Sequence, residues 1–171
     1  MPAITNDTVQ KVWDMLATVA DPEVPVLTIL DLGIVREVKV SGTGENEKIE
    51  IIITPTYSGC PAMDMIRMNI RLVLAEEGLK NYTLTTVLSP AWTTDWMSEE
   101  GKQKLKAYGI APPNPQQSVC TPELFQQEEA VQCPRCDSWH THRISEFGST
   151  ACKALYQCDD CREPFDYFKC H

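Results

Sequence analysis

Two short stretches near the C-terminus, Cys133-Pro134-Arg135-Cys136 and Cys158-Asp159-Asp160-Cys161, decide the fold of the last part of the chain. Each C-x-x-C pair can bind one metal ion through two thiolates, and the intervening residues 137–157 are enough to form a hairpin. Two such pairs close a tetrahedral site of the structural zinc type. We therefore predict a zinc-ribbon-like module over residues 131–171 that folds around its metal.

The thiolates of this module suit zinc, or iron in a rubredoxin-like site, and a structural zinc is the favoured interpretation. Two further thiols, Cys152 and Cys170, exceed the needs of one tetrahedral site. We interpret them as spare buried thiols, with a second labile pair or competing ligands as the alternatives. No role is assigned to Cys120, His140, His142 or His171.

Composition and charge narrow the class of protein. The chain has 171 residues, of which 43% are hydrophobic, and a net charge of −9. Without a basic patch, binding to nucleic acid has no electrostatic support. The start of the chain resembles no secretion signal, and no stretch approaches the roughly 20 apolar residues of a membrane span. We expect a cytoplasmic protein whose cysteines are metal ligands or reactive thiols.

Hydrophobic periodicity predicts an α+β domain before the ribbon. The order is α-β-β-α-β, with a helix over about 8–20, strands over 34–40 and 49–54, a helix from Pro61 to near Gly78, and a strand over 82–88. A short helix follows, capped by Ser98 and ended by Gly109. Residues 111–130, with several prolines and glutamines, have the composition of a linker. The predicted organisation is a domain over 1–110, a linker over 111–130 and the ribbon.

Cys60 is a candidate reactive thiol, because Pro61 is typical of a helix start. Unpaired N–H groups and the helix dipole there favour an anion, so we expect a lowered thiol pKa. An inert cysteine at a helix start is the equal alternative.

The loop between Trp92 and Trp96 either completes the core of the first domain, which we favour, or anchors a partner.

The loop Asp21-Pro22-Glu23-Val24-Pro25 holds two carboxylates between rigid prolines. Together with the Cys60 thiolate, Asp21 and Glu23 form a mixed hard and soft ligand set that can hold iron transiently. Taken alone, the loop is better explained by local hydrogen bonding. Asp31 is a third carboxylate with the same alternative.

Three segments carry a resemblance to a known family, in this order: Asp21-Pro22-Glu23-Val24-Pro25, Asp31-Leu32-Gly33-Ile34-Val35 and Thr54-Pro55-Thr56-Tyr57-Ser58-Gly59-Cys60-Pro61. They resemble the SufT-like metal–sulfur cluster assembly domain over about residues 8–90. The Ser89–Met97 segment and the tail segments Ser145–Tyr156 and Arg162–Cys170 extend the resemblance to the PaaD family of bacterial phenylacetate-degradation proteins.

The resemblance implies a role beside the multicomponent phenylacetyl-CoA epoxidase, which has a di-iron oxygenase and a reductase with flavin and an iron–sulfur centre. Such proteins are expected to help mature a metal centre of the oxygenase or reductase and not to epoxidise substrate. Cys60 matches the family's reactive cysteine, and Asp21 and Glu23 match its acidic loop. The expected metals are a structural zinc in the ribbon and transient iron or an iron–sulfur cluster as cargo.

Two other functions compete with this one. An integral electron-transfer or structural subunit of the oxygenase is suggested by the many C-terminal cysteines, although no flavin fingerprint or paired E-x-x-H helices support a redox enzyme. A ribbon that binds nucleic acid is disfavoured by the acidic charge.

Overall fold

The computed structural model describes residues 5–42, 46–114 and 130–169, with only the backbone of residues 5 and 6. The chain divides between Trp92 and Thr93 into two units. The chain contains both helices and strands, so the predicted α+β class is confirmed. Cys120, Cys170 and His171 lie outside the described residues, and what was predicted for them stays a prediction.

The first unit has the predicted α-β-β-α-β order. Its elements are α1 (Thr5–Leu16), β1 (Val35–Ser41), β2 (Lys48–Ile53), α2 (Ala62–Glu76) and β3 (Tyr82–Thr86). The sheet order is β1-β2-β3, with β1 antiparallel and β3 parallel to β2. A parallel pair requires a crossover, and α2 provides it.

Burial follows the hydrophobic pattern of these elements. Alternate residues of β2 are buried, from Ile49 to Ile53. In β1, Val35 and Val38 are both buried although they lie three residues apart, because a register shift between Val35 and Glu37 changes the phase of the strand. The buried face of α2 consists of Ala62, Met63, Ile66, Ile70 and Leu74.

The first helix ends earlier than the predicted limit near residue 20. After Leu16 the chain turns, with the amide of Val19 donating to the Leu16 carbonyl at 3.1 Å. Ala20 then forms a β-bridge with Thr28. Val19, which is buried, therefore faces the core from a loop, and periodicity alone does not distinguish this from a last helical turn.

The second unit contains α3 (Glu99–Tyr108), β4 (Ile110–Ala111), β5 (Thr141–Ser145), β6 (Lys153–Cys158) and β7 (Pro164–Phe168). Its sheet order is β4-β7-β6-β5, and β4 is parallel to β7. Helix α3 therefore belongs to the second unit. We expected α3 to be the last helix of a first domain that ends at residue 110. Ala111, the first residue of the predicted linker, is a buried strand residue, and a two-residue strand has no periodicity to reveal it.

The caps of α3 are those predicted from the sequence. The Ser98 hydroxyl accepts a hydrogen bond from the Gly101 amide at 2.9 Å, and Gly109 ends the helix with a φ of +94°. The core of the second unit lies on one face of its sheet and comprises Ala111, Val131, Cys133, Ala154, Tyr156, Cys158, Phe165 and Tyr167. Among the described helices, none combines the length and apolar character needed to cross a bilayer.

Candidate metal centre and the Cys60 site

The four cysteines of the C-x-x-C pairs converge in the second unit. The sulfur atoms of Cys133, Cys136, Cys158 and Cys161 all lie within 4.8 Å of one another. Two of the sulfur–sulfur distances are 3.8 Å, between Cys133 and Cys161, and 3.5 Å, between Cys136 and Cys158. Sulfurs bonded tetrahedrally to zinc at about 2.3 Å are about 3.8 Å apart. The geometry therefore fits a four-cysteine zinc site.

The two cysteine pairs adopt the same turn. The amide of Cys133 donates to the Ser138 carbonyl at 2.8 Å, and the amide of Cys158 donates to the Glu163 carbonyl at 3.1 Å. Each donor is the first cysteine of its pair, and each acceptor lies five residues later. The doubled sequence motif thus becomes a doubled loop that aims two sulfurs at one point.

A glutamine before each pair repeats as well. The side-chain amides of Gln132 and Gln157 each donate to a carbonyl five residues on, in Asp137 and Arg162, and both distances are 3.1 Å. Both acceptor residues have a left-handed backbone, with φ of 60° for Asp137 and 64° for Arg162. The repeat is therefore Gln-Cys-x-x-Cys, which extends the motif by one residue that the spacing of the cysteines alone does not reveal.

Backbone hydrogen bonds prepare the cysteines to bind metal as thiolates. Amides of Cys161 and then Asp160 donate to the Cys158 sulfur and lower its pKa to about 7. The Ser138 amide favours a thiolate at Cys136, but desolvation and the neighbouring sulfurs outweigh it and raise its pKa to about 12. The negative charge of one thiolate thus opposes the ionisation of the next cysteine, and a bound cation would relieve that repulsion.

The histidines near the cluster brace it. His140 Nδ1 lies 3.2 Å from an Asp160 carboxylate oxygen, and His142 Nδ1 lies 3.0 Å from Asp159. Ser138 also donates to Asp160, and this bond is the first cause of the lowered pKa of that carboxyl group. These contacts join β5 and the segment before it to the second cysteine pair. The sequence alone predicted no role for either histidine.

Cys152 is not part of the four-sulfur group. It is 5% exposed, and its sulfur lies 3.0 Å from the Thr150 hydroxyl. Its carbonyl accepts a hydrogen bond from the Lys169 amide at 3.0 Å. This burial agrees with its interpretation as a packed, spare thiol.

Cys60 lies at the end of a tight turn in the first unit. Its amide donates to the Tyr57 carbonyl at 3.3 Å, and Gly59 has the φ of +82° that the third position of a type II turn requires. Pro61 then caps α2. Cys60 is half-buried, so its sulfur is neither sealed in the core nor fully in water.

The expectation of a lowered thiol pKa at Cys60 is wrong. Burial raises it above the ordinary 9.0, and the Glu23 carboxylate raises it further. Hydrogen bonds from the Ala62 amide and with the side chains of Tyr57 and Thr56 oppose this increase without cancelling it. Desolvation outweighs the helix start, and Cys60 is a thiol at neutral pH.

The carboxylates of Asp21, in the acidic loop, and of Asp31, after it, shape the local backbone. One oxygen of Asp21 accepts hydrogen bonds from the amides of Glu23 and Val24, at 2.9 and 2.7 Å. Asp31 accepts from the Thr28 amide and hydroxyl, both at 3.0 Å. Asp21 and Asp31 are buried, whereas Glu23 is half-buried. The charge of the Glu23 carboxylate acts on the Cys60 thiol, and Asp21 holds the loop that carries Glu23.

Trp92 has a structural role in the first unit. Its indole N–H donates to the Leu32 carbonyl at 2.7 Å, and the residue is 5% exposed. It thereby holds the chain that leaves β3 against the loop before β1, in agreement with the favoured core interpretation.

Comparison with protein families matches both parts of the chain. The family described as "Iron-sulfur cluster assembly protein" matches residues 9–81, and the "PaaD zinc beta ribbon domain" matches residues 117–169. A crystal structure of a DUF59 domain of unknown function from Bacillus anthracis is 28% identical, with a TM-score of 0.53 over 59% of this chain and 93% of that one.

Curated relatives with functional names match as well. A protein of Escherichia coli (strain K12), provisionally named as one of the subunits of 1,2-phenylacetyl-CoA epoxidase, is 49% identical over 99% of this chain and 98% of its own length. An Fe-S protein maturation auxiliary factor of Porphyromonas gingivalis (strain ATCC BAA-308 / W83) is 37% identical over 53% of this chain and 84% of its own.

Proposed function

This chain belongs to the PaaD family of proteins associated with phenylacetyl-CoA epoxidase, and we propose that it is an accessory protein that delivers iron or an iron–sulfur cluster to that enzyme. The recipient is the oxygenase or the reductase component of the complex. In this proposal the chain catalyses no step of the epoxidation and works in the reducing cytoplasm, where its thiols stay available.

The observation that carries the proposal is the charge of the Glu23 carboxylate acting on the half-buried Cys60 thiol. The negative charge of the Glu23 carboxylate raises the pKa of the Cys60 thiol, because it opposes formation of a thiolate. The same two groups attract a metal cation, which a sulfur and an oxygen ligand can hold together. The match of residues 9–81 to an iron–sulfur cluster assembly family supports iron as that metal.

Metal uptake at this site has to displace a proton. Because Cys60 is a thiol at neutral pH, the incoming metal replaces its hydrogen, and the proton leaves to water. Competition between proton and metal keeps the bound metal exchangeable. Exchange is what a delivery protein needs, whereas a closed four-cysteine site retains its ion.

The ribbon has a different task in this proposal. When zinc is bound by Cys133, Cys136, Cys158 and Cys161, it contributes folding free energy to the second unit and leaves no open coordination position. The ribbon then acts as a rigid surface for docking to the oxygenase or reductase.

Reconstitution of the reductase tests the proposal. Apo-reductase is supplied with iron and sulfide, without oxygen, in the presence of the wild-type protein, of Cys60→Ala or of Cys152→Ala as the matched cysteine control. We expect Cys60→Ala to lower the rate and occupancy of the iron–sulfur centre and Cys152→Ala to retain them. Repeating the assay with the oxygenase identifies the recipient. Equal occupancy with Cys60→Ala in both assays would remove Cys60 from delivery.

A further inference from the structure

Helix α2 carries an apolar stripe on its exposed side. Met65, Met68 and Leu72 are 47%, 49% and 54% exposed, and their spacing of three and four residues places them on one line along the helix. A helix that packs on a core by one face normally shows polar residues on the other. Exposed apolar surface of this kind, with adaptable methionines, is typical of an interaction site.

The pattern around Met68 is self-complementary. Met65 lies three residues before it and Leu72 four after, while Asp64 lies four before and Arg71 three after. In an antiparallel pair of α2 helices with a two-fold axis at Met68, Met65 faces Leu72 of the second copy, and Asp64 faces its Arg71. An isologous interface has this reciprocal form.

Charge supports the same arrangement. Asp64 lies 3.1 Å from Arg67 on its own helix, but its side chain is 92% exposed and can accept a second partner. Arg71 is exposed and has no ion pair within the described part of the chain. We infer that the stripe formed by Met65, Met68 and Leu72 is a self-association surface and that its occupant is a second copy of this chain.

This arrangement keeps the two Cys60 sites apart. Cys60 precedes Met68 by eight residues, or about 12 Å of helix, and antiparallel packing places the two thiols about 24 Å apart along the axis. They cannot share one metal ion. The inference goes beyond the proposed function and does not depend on it.

Sedimentation of the zinc-loaded full chain at concentrations up to about 100 µM tests the inference. We expect a monomer–dimer equilibrium that Met68→Glu weakens at least about tenfold, because it sets two like charges against each other at the axis. Leu88→Glu is the matched control, since Leu88 is 61% exposed in the same unit but outside α2. A monomer throughout, or equal effects of the two variants, would overturn the inference.

Cross-linking in a Cys60→Ser background tests the symmetry. With a short bis-maleimide, Met68→Cys should cross-link to itself, whereas Met65→Cys should need a second chain carrying Leu72→Cys. Peptide mapping separates these products from links between native cysteines. Self-cross-linking of Met65→Cys equal to that of Met68→Cys, or no α2 product, would exclude the proposed axis.

Discussion

The Glu23 carboxylate raises the pKa of the Cys60 thiol, although the two residues lie 37 positions apart in the sequence. Burial is the larger cause of the raised pKa of the Cys60 thiol, and the Glu23 carboxylate adds to it. The loop that carries Glu23 is fixed by Asp21, and the turn that carries Cys60 is fixed by Gly59. Two hydrogen-bonded local structures thus hold the carboxylate where its charge acts on a proton-holding thiol.

Glu23→Gln should make Cys60 more reactive and less able to bind metal. Removing the carboxylate lowers the thiol pKa, so more thiolate is present at neutral pH and alkylation by iodoacetamide becomes faster. Loss of the oxygen ligand should at the same time weaken iron binding. Peptide-resolved mass spectrometry measures the alkylation of Cys60 alone. Glu76→Gln, at the far end of α2, is the control. An equal alkylation rate in both variants would show that Glu23 does not affect the reactivity of Cys60.

The raised pKa of Cys60 predicts a pH dependence of stability. The folded protein holds this proton more tightly than the unfolded chain, whose thiol titrates near 9.0. The contribution to the free energy of unfolding is therefore complete below about pH 9 and is lost as the pH rises through the raised value. Cys60→Ser lacks this titration and should lose less stability above pH 9. Urea unfolding at several pH values measures the difference, and parallel curves for the two proteins would contradict it.

Cys136→Ser should unfold the ribbon and leave the first unit folded. The substitution removes one thiolate from a site whose metal contributes much of the local folding free energy. Amide NMR signals from the second unit should collapse, as they should with a strong chelator. Cys152→Ser should keep one zinc per chain. An unchanged NMR spectrum after chelation would contradict the metal-dependent fold. In metal analysis of the purified protein, stoichiometric zinc without iron would exclude electron relay through the ribbon.

Arg162→Gly should stabilise the ribbon by about 0.5–1 kcal/mol. Arg162 has a left-handed backbone with a φ of 64°, which glycine adopts without the steric penalty of a Cβ. Arg135→Gly is a suitable control, because Arg135 lies in the other cysteine loop and is not among the described residues with positive φ. Thermal unfolding of the zinc-loaded proteins compares the two. Destabilisation by Arg162→Gly equal to that by Arg135→Gly would show that the backbone is unstrained.

Most secondary structure of the first unit could be predicted, because Ile49, Ile51 and Ile53 alternate in β2 and Ile66, Ile70 and Leu74 follow helical spacing in α2. The grouping of the four cysteines could be predicted as well, since the doubled C-x-x-C spacing is a property of the local chain. The caps of α3 could also be predicted, because Ser98 and Gly109 each bond to backbone groups only a few residues away.

What could not be predicted depends on distant contacts. The pairing of β4 with β7 joins residues more than fifty positions apart and decides which unit receives α3. The pKa of Cys60 depends on how far the fold removes its sulfur from water, and this outweighed the local effect of the helix start. The bracing of the ribbon by His140 and Asp160 likewise exists only once both cysteine loops are in place.

The central claim is that Cys60 carries exchangeable metal, and an oxygen-free iron(II) titration of the zinc-loaded protein tests it most directly. The account predicts one iron-binding event beyond the ribbon zinc, with a sulfur ligand detectable by X-ray absorption. Cys60→Ala should lose that event, and Glu23→Gln should weaken it. Iron binding by Cys60→Ala that matches the wild type in affinity and sulfur coordination would contradict the account.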